Sequence, residues 1–254
     1  MIEDLEVMNG YKKSKFLRRF GDMCVIIVSA FVFSLSLVSC DEHEHIDLDI
    51  HPGHILLKSG RVISSADYFA NGDSTAIGIV FSEQISNSHY LVVSLDELPP
   101  LQFCDSIGGM IQGTSCDRTT LDGMENTYAL QGSIDKKTFR GSPLANAVSS
   151  SHAFALAEFI PSVKEMKMLY SHFGKVNGII SQLHEQRPNY YNAVPLSMDG
   201  VSGDCWYWTS TEVKENQQNM AWRFSMSSGT EHESGKDIFC HARKISIYYP
   251  NEVK

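Results

Sequence analysis

The sequence has no Cys-x-x-Cys pair, no Gly-x-Ser-x-Gly elbow, no His-Glu-x-x-His, no Gly-x-Gly-x-x-Gly, no Walker A loop and no EF-hand loop. Each of these spacings carries a defined chemistry, so zinc knuckles, thiol oxidoreductases, serine hydrolases, zinc proteases and nucleotide sites lose their sequence support. His184-Glu185 starts a helical zinc pattern but has no second histidine four residues on. Positive charge is also scarce: no basic cluster follows residue 40. The chain has 21 basic and 30 acidic residues. Residues 1–39 hold five of the former and four of the latter, which leaves 16 against 26 and a net charge of −10 beyond them. Nucleic acid is therefore not an expected partner, since phosphate binding requires lysine and arginine patches.

One stretch lacks charge altogether. Residues 23–39, MCVIIVSAFVFSLSLVS, follow a basic flank with Lys12, Lys13, Lys15, Arg18 and Arg19, and charge returns at Asp41. That is the layout of a secretory signal. At 17 residues the run is also near the lower limit for a membrane-spanning helix, so an uncleaved anchor is the alternative. Leu37-Val38-Ser39-Cys40 resembles the lipobox of bacterial lipoproteins. The resemblance implies a signal peptide over 1–39, a lipid on Cys40, and a membrane partner reached through that lipid. Residues 40–52 then form the lipidated cysteine and an acidic tether. His43, His45 and His51 lie there among Asp41, Glu42, Glu44, Asp47 and Asp49. A soft tether cannot preorganise a metal site, so no metal and no cofactor are expected. The expected location is the outer membrane, facing the periplasm or the cell surface.

Cys104, Cys116, Cys205 and Cys240 remain after the signal and the lipidated cysteine. Four cysteines in an oxidising compartment are disulfide candidates, with three pairings open and free buried thiols as the alternative. One pairing joins Cys104 to Cys116 and Cys205 to Cys240.

Residues 53–254 are expected to form a single domain. His54–Leu57, Ala76–Phe81 and His89–Leu95 read as strands, and the glycine-rich 99–141 as loops. Ser142-Pro143 opens a helix, and Ser162 with Glu165 forms a capping box before another. Met166, Leu169, Tyr170 and Phe173, then Val176, Ile179, Ile180 and Leu183, repeat at helical spacing. Strands return at 205–210, at 220–226 with Met220, Trp222, Phe224 and Met226 alternating, and at 238–249. Strands, then helices, then strands predict an α+β fold with small antiparallel sheets and two to three helices in the middle of the chain.

Several stretches together carry a resemblance. Asp122-Gly123-Met124-Glu125-Asn126-Thr127, Phe159-Ile160-Pro161-Ser162 through Glu165 to Leu169, Val176-Asn177, Tyr207-Trp208-Thr209-Ser210-Thr211-Glu212, Ala221-Trp222-Arg223-Phe224 and Ala242-Arg243 are similar, in order, to the signature blocks of the Lcl-type C-terminal domain family. Phe159, Ile160, Thr209 and Lys244 depart from its pattern. The resemblance implies a C-type-lectin-like fold related to that of the formylglycine-generating enzyme. The calcium-site motifs of sugar-binding lectins, Glu-Pro-Asn and Trp-Asn-Asp, are absent. From the residues alone, Arg243 is expected to pair with Glu212 or Glu165.

The functional expectation is a non-catalytic, surface-attached adhesion or binding module for a glycan or protein ligand, with no catalytic residues. Its candidate ligand residues are Tyr190, Tyr191 and Asn192 in one loop and Glu212, Asn216 and Asn219 in another, because tyrosine and asparagine give contact area and adaptable hydrogen bonds. The alternatives are a structural or assembly subunit of a surface or fimbrial complex, and a variable display protein of a diversity-generating retroelement.

Overall fold

Two oppositely charged dipeptides, Asp96-Glu97 and Arg243-Lys244, sit where the chain passes between its two sheets. The computed structural model describes residues 49–71, 74–105, 114–133, 137, 140–149, 156–186 and 192–250. The expected signal, Cys40 and most of the tether lie outside them. Asp49–Lys254 forms one unit, and no helix among the described residues is long and apolar enough to cross a membrane.

In chain order the elements are β1 Ile55–Leu57, β2 Val62–Ile63, α1 Ser65–Asn71, β3 Ala76–Val80, β4 Tyr90–Ser94, β5 Leu98–Gln102, α2 Gly123–Gly132, α3 Pro143–Ser149, β6 Glu158–Phe159, α4 Val163–Ser171, α5 Phe173–Gln186, β7 Trp206–Glu212, β8 Met220–Ser225, β9 Glu231–Gly235, β10 Phe239–Ala242 and β11 Ile245–Tyr248. A six-stranded sheet runs β2-β1-β3-β4-β11-β6 and a five-stranded sheet runs β5-β10-β7-β8-β9. All pairings are antiparallel except β10 with β7. The fold is α+β.

The two helical stripes read from the sequence are buried. Met166, Leu169, Val176, Ile180 and Leu183 pack with Ile79, Val93, Tyr207 and Phe224 in the main core. A second core on the other face of the five-stranded sheet gathers Phe103, Leu130, Leu144, Trp208 and Ala221. This second core explains a departure in β8. Strict alternation predicts Ala221 outside and Trp222 inside, yet Ala221 is buried and Trp222 is partly exposed. Both faces of the sheet are covered at that level, and Arg118 lies 4.5 Å above the Trp222 ring.

The 99–141 region is not all loop. Its first element, β5, carries Pro99 and Pro100 but sits at a sheet edge, where proline costs no ladder hydrogen bond. Its second, α2, buries Gly123, Asn126, Thr127 and Leu130 at helical spacing. Three of those four are not apolar, so hydrophobic periodicity could not reveal the helix. The single strand expected over 238–249 is two strands in different sheets, split at Arg243-Lys244.

At that split Arg243 donates to Glu97 at 3.2 Å and Lys244 lies 2.9 Å from Asp96 and 3.0 Å from Glu158. The two crossovers are thus riveted side by side, and Ser94 N–H donates to Lys244 C=O at 3.0 Å. Arg243 pairs with neither Glu212 nor Glu165. Its guanidinium is buried at the crossover with Glu97, while those two carboxylates serve other partners.

Glu165 closes the capping box: Ser162 N–H donates to Glu165 Oε2 at 2.6 Å and Glu165 N–H to Ser162 Oγ at 3.4 Å. Three stretches meet there. Ile160 N–H donates to Thr127 Oγ1 at 2.9 Å, Val163 N–H to Thr211 Oγ1 at 3.2 Å, and Ser210 N–H to Pro161 C=O at 2.8 Å. Gly123 admits this approach. A methyl group on it would overlap Glu165 Oε2 and lie 2.7 Å from Ile160 C=O. Asp122–Thr127, Pro161–Glu165 and Tyr207–Glu212 are therefore a scaffold junction, built of buried hydroxyl and amide groups that satisfy one another.

Candidate functional site

The candidate ligand residues do not share one face. Tyr190 and Tyr191 lie outside the described residues. Asn192 is exposed at the start of the 192–204 segment. Asn216 and Asn219 are joined by a 3.0 Å hydrogen bond in the turn after β7. The first segment precedes β7 and the second follows it. A seven-residue strand spans roughly 20 Å, so the two loops stand at opposite ends of it.

Glu212 does not face solvent. It is fully buried, accepts from Gln217 Nε2 at 2.6 Å and from Lys236 Nζ, and Lys236 also donates to Gln217 C=O at 2.5 Å. Burial pushes the Glu212 carboxyl up, against the pull of these donors. Its role is to anchor the 213–219 turn from inside. The sequence offered no sign of this, because the burial of a strand-end carboxylate is set by what packs over it.

The 192–204 segment is held from beneath at nearly every second residue. His184 Nδ1 donates to Ala193 C=O at 2.7 Å. Val194 N–H donates to Leu95 C=O at 2.9 Å, and Val194 C=O accepts from Arg243 Nη2 at 2.6 Å. Asn177 brackets Leu196, accepting its N–H at 2.7 Å and donating to its C=O at 3.2 Å. Ser197 N–H donates to Tyr207 Oη at 2.8 Å, and Tyr207 in turn donates to Glu97 at 2.7 Å. Burial, reinforced by the Glu97 charge, pushes the Tyr207 hydroxyl far above its ordinary range, so it stays a donor at physiological pH. His241 Nδ1 lies 3.0 Å from the other Glu97 oxygen.

Above these braces the tip is a tight turn. Asp199 Oδ1 accepts from Val201 N–H at 2.8 Å and from Ser202 N–H at 3.3 Å. The Val201 hydrogen bond, followed by those from Ser202, holds the Asp199 carboxyl below the usual carboxylate range. Asp199 C=O accepts from Cys205 N–H at 3.2 Å, and Gly203 takes the left-handed φ of +86° that lets the chain turn back. The tip presents Met198, 52% exposed, and Val201, 100% exposed. Two apolar side chains thus stand uncovered on a turn that is hydrogen-bonded from beneath. The bracing residues Asn177, His184 and Arg243 were not legible as such, because they lie on other elements.

None of the four cysteines expected as disulfide partners forms a disulfide. Cys240 Sγ donates to Trp206 C=O at 2.9 Å, and Cys205 Sγ accepts from Ser227 Oγ at 3.5 Å. Cys104 and Cys240 both sit in the second core, and Cys116 is only partly buried. Burial pushes the Cys240 thiol up to about 12 and raises that of Cys116, so both stay protonated at neutral pH. Among the described residues no three His, Cys, Asp or Glu side chains converge to hold a metal. His51, the tether histidine within them, rests on Asp49 at 3.1 Å and Glu83 at 3.4 Å in open solvent.

The chain matches no protein-family model, no curated protein and no solved structure. The functional reading therefore stands on geometry and sequence pattern.

Proposed function

We propose that this chain is a non-catalytic, surface-attached lipoprotein whose C-type-lectin-like domain binds a glycan or protein ligand through the 192–204 loop. The observation that carries the reading is the braced tip with Met198 and Val201 uncovered. Rigid apolar anchors on a preorganised loop lower the ordering cost of association, which is how binding loops gain affinity. The fold assignment draws support from the junction at Gly123, Ser162 and Thr211, where signature stretches distant in sequence serve one another. Lipidation at Cys40 and an outer-membrane location rest on the sequence pattern alone.

Two outcomes are expected. Val201→Asp places a charge at the centre of the tip. It should reduce binding on a glycan and protein array at least tenfold while leaving the melting temperature unchanged, because Val201 has no packing to lose. Equal binding by the variant would overturn the assignment of the loop. For the anchor, Cys40→Ser should move the protein from the membrane to the soluble fraction of cells, and intact mass should lose the lipid. An unacylated wild type would remove the lipoprotein part of the reading and leave the loop untouched.

A further inference from the structure

An amine, an amide and a carboxylate meet in the interior where β7 ends. The Glu212 side chain is fully buried and that of Lys236 is 4% exposed. Lys236 Nζ donates to Glu212 Oε1, and to the Gln217 carbonyl at 2.5 Å. Gln217 Nε2 donates to the other Glu212 oxygen at 2.6 Å and to Thr114 C=O at 3.1 Å. One carboxylate thus carries an amine nitrogen on one oxygen and an amide nitrogen on the other. The Phe103 ring, 5.4 Å from Nζ, supplies an apolar wall. An ion pair this dry gains little stability over apolar residues of the same volume, because desolvation of both charges offsets their attraction.

The backbone fixes this approach from both sides. Lys236 N–H donates to Asn219 C=O at 2.9 Å, and Lys236 C=O accepts from Cys104 N–H at 3.1 Å. Val213 N–H donates to Met220 C=O at 3.1 Å and closes the turn that carries Gln217. Nζ already touches the main chain of Gln217, so the side-chain amide of the same residue lies within the sweep of the flexible lysine stem. A lysine amine is a nucleophile only once it has lost its extra proton, and an adjacent base supplies that activation. Burial pushes the Glu212 carboxyl up, against the pull of Lys236 and Gln217, which favours its taking that proton. Holding the three groups together makes the attack an intramolecular event.

We propose that Lys236 and Gln217 join in an intramolecular isopeptide bond, with Glu212 as the proton carrier. The Lys236 ammonium passes a proton to Glu212. The freed Nζ attacks Gln217 Cδ, and the amide carbonyl becomes an oxyanion as the new C–N bond forms. Glu212 hands its proton to Nε2, the Cδ–Nε2 bond breaks, and ammonia leaves. Nζ then gives its surplus proton to Glu212. The products are a secondary amide, ammonia and a neutral carboxylic acid. Hydrogens and charge balance without any oxidant or co-reactant, and two buried charges become none. The bond staples the 213–219 turn to the residue that follows β9. It stands apart from the binding-module reading and holds whatever the ligand is.

The test is mass spectrometry of the full chain, purified in detergent and digested under denaturing conditions. A branched peptide is expected, lighter than the sum of its two parts by one ammonia, with fragment ions that place the link between Gln217 and Lys236. Glu212→Gln removes the proton carrier and should abolish the branched peptide. That variant also strands Lys236 and can fail to fold, so Gln217→Ala is the second arm. It keeps the Glu212–Lys236 pair, and circular dichroism should report an intact fold while the branched peptide is lost completely. Only unlinked peptides from the wild type would overturn the proposal. So would a link that loses water and joins Lys236 to Glu212, or a link that persists in folded Gln217→Ala.

Discussion

Arg243→Ala is expected to destabilise the domain by about 3–5 kcal/mol, the cost of removing one partner of a buried ion pair. The guanidinium is fully buried and joins four groups: Glu97, the carbonyls of Leu95 and Ser94, and the carbonyl of Val194. Removing it strands Glu97 in the interior beside Tyr207 and His241 and leaves three carbonyls without that donor. It also cuts the brace beneath the 192–204 segment. Urea denaturation should record the stability loss, and amide exchange should accelerate in 192–204 before the rest of the domain. The Glu97→Ala/Arg243→Ala double variant should be less unstable than the two single losses summed, since neither charge is then left alone. A loss under 1 kcal/mol, or unchanged exchange in the loop, would remove Arg243 from its place as the rivet between crossover and loop.

The second large effect is a pH dependence centred on Glu165. Burial, aided by the nearby Asp122 charge and opposed by the Ser162 hydrogen bonds, raises its carboxyl from 4.5 to about 7. The folded state therefore holds a proton that the unfolded chain has released. Its contribution is fully present below pH 4.5 and is lost as pH rises through about 7. A shift of this size corresponds to about 3 kcal/mol between the two ends of the window. Stability should fall between pH 4.5 and 8 in wild type, and Glu165→Gln should flatten the profile because it keeps an acceptor for Ser162 N–H without a titrating proton. Glu212, also raised by burial, contributes a slope of the same sign. The difference between wild type and Glu165→Gln isolates the capping box. An identical slope in both would show that Glu165 does not bind the proton.

The contrast between α4 and α2 explains which parts of the fold could be read in advance. In α4 every local preference agrees: Pro161 stops the preceding chain, Ser162 and Glu165 cap, and Met166 and Leu169 face the core. In α2 the same geometry is met by glycine, asparagine and threonine, whose burial is worth having only because Ile160 and Ser115 bring hydrogen-bond partners to them. Likewise β9, Glu-His-Glu-Ser-Gly, carries no strand signal. It exists as an edge because β8 supplies its ladder.

The candidate site divides in the same way. Asn192 and Asn219, read as loop residues, lie outside helix and strand, and Asn216 ends a short 3-10 turn, Lys214–Asn216. Glu212, equally polar, is interior, because Lys236 and Gln217 close over it from later in the chain.

The sequence by itself determined the apolar stripes of the two middle helices, the capping box that opens the first of them, the strand character of residues 205–210 and the acidic balance of the chain. Each of these is written in spacings of seven residues or fewer, or in simple counts. Only the tertiary structure decided that Arg243 meets Glu97, that Cys104, Cys116, Cys205 and Cys240 form no disulfide, that Gly123 is a contact point, and that the turn at Met198–Val201 is braced from other elements. Those depend on which distant segments the two sheets carry into contact. Burial and pairing energies belong to that juxtaposition, and no residue carries them alone.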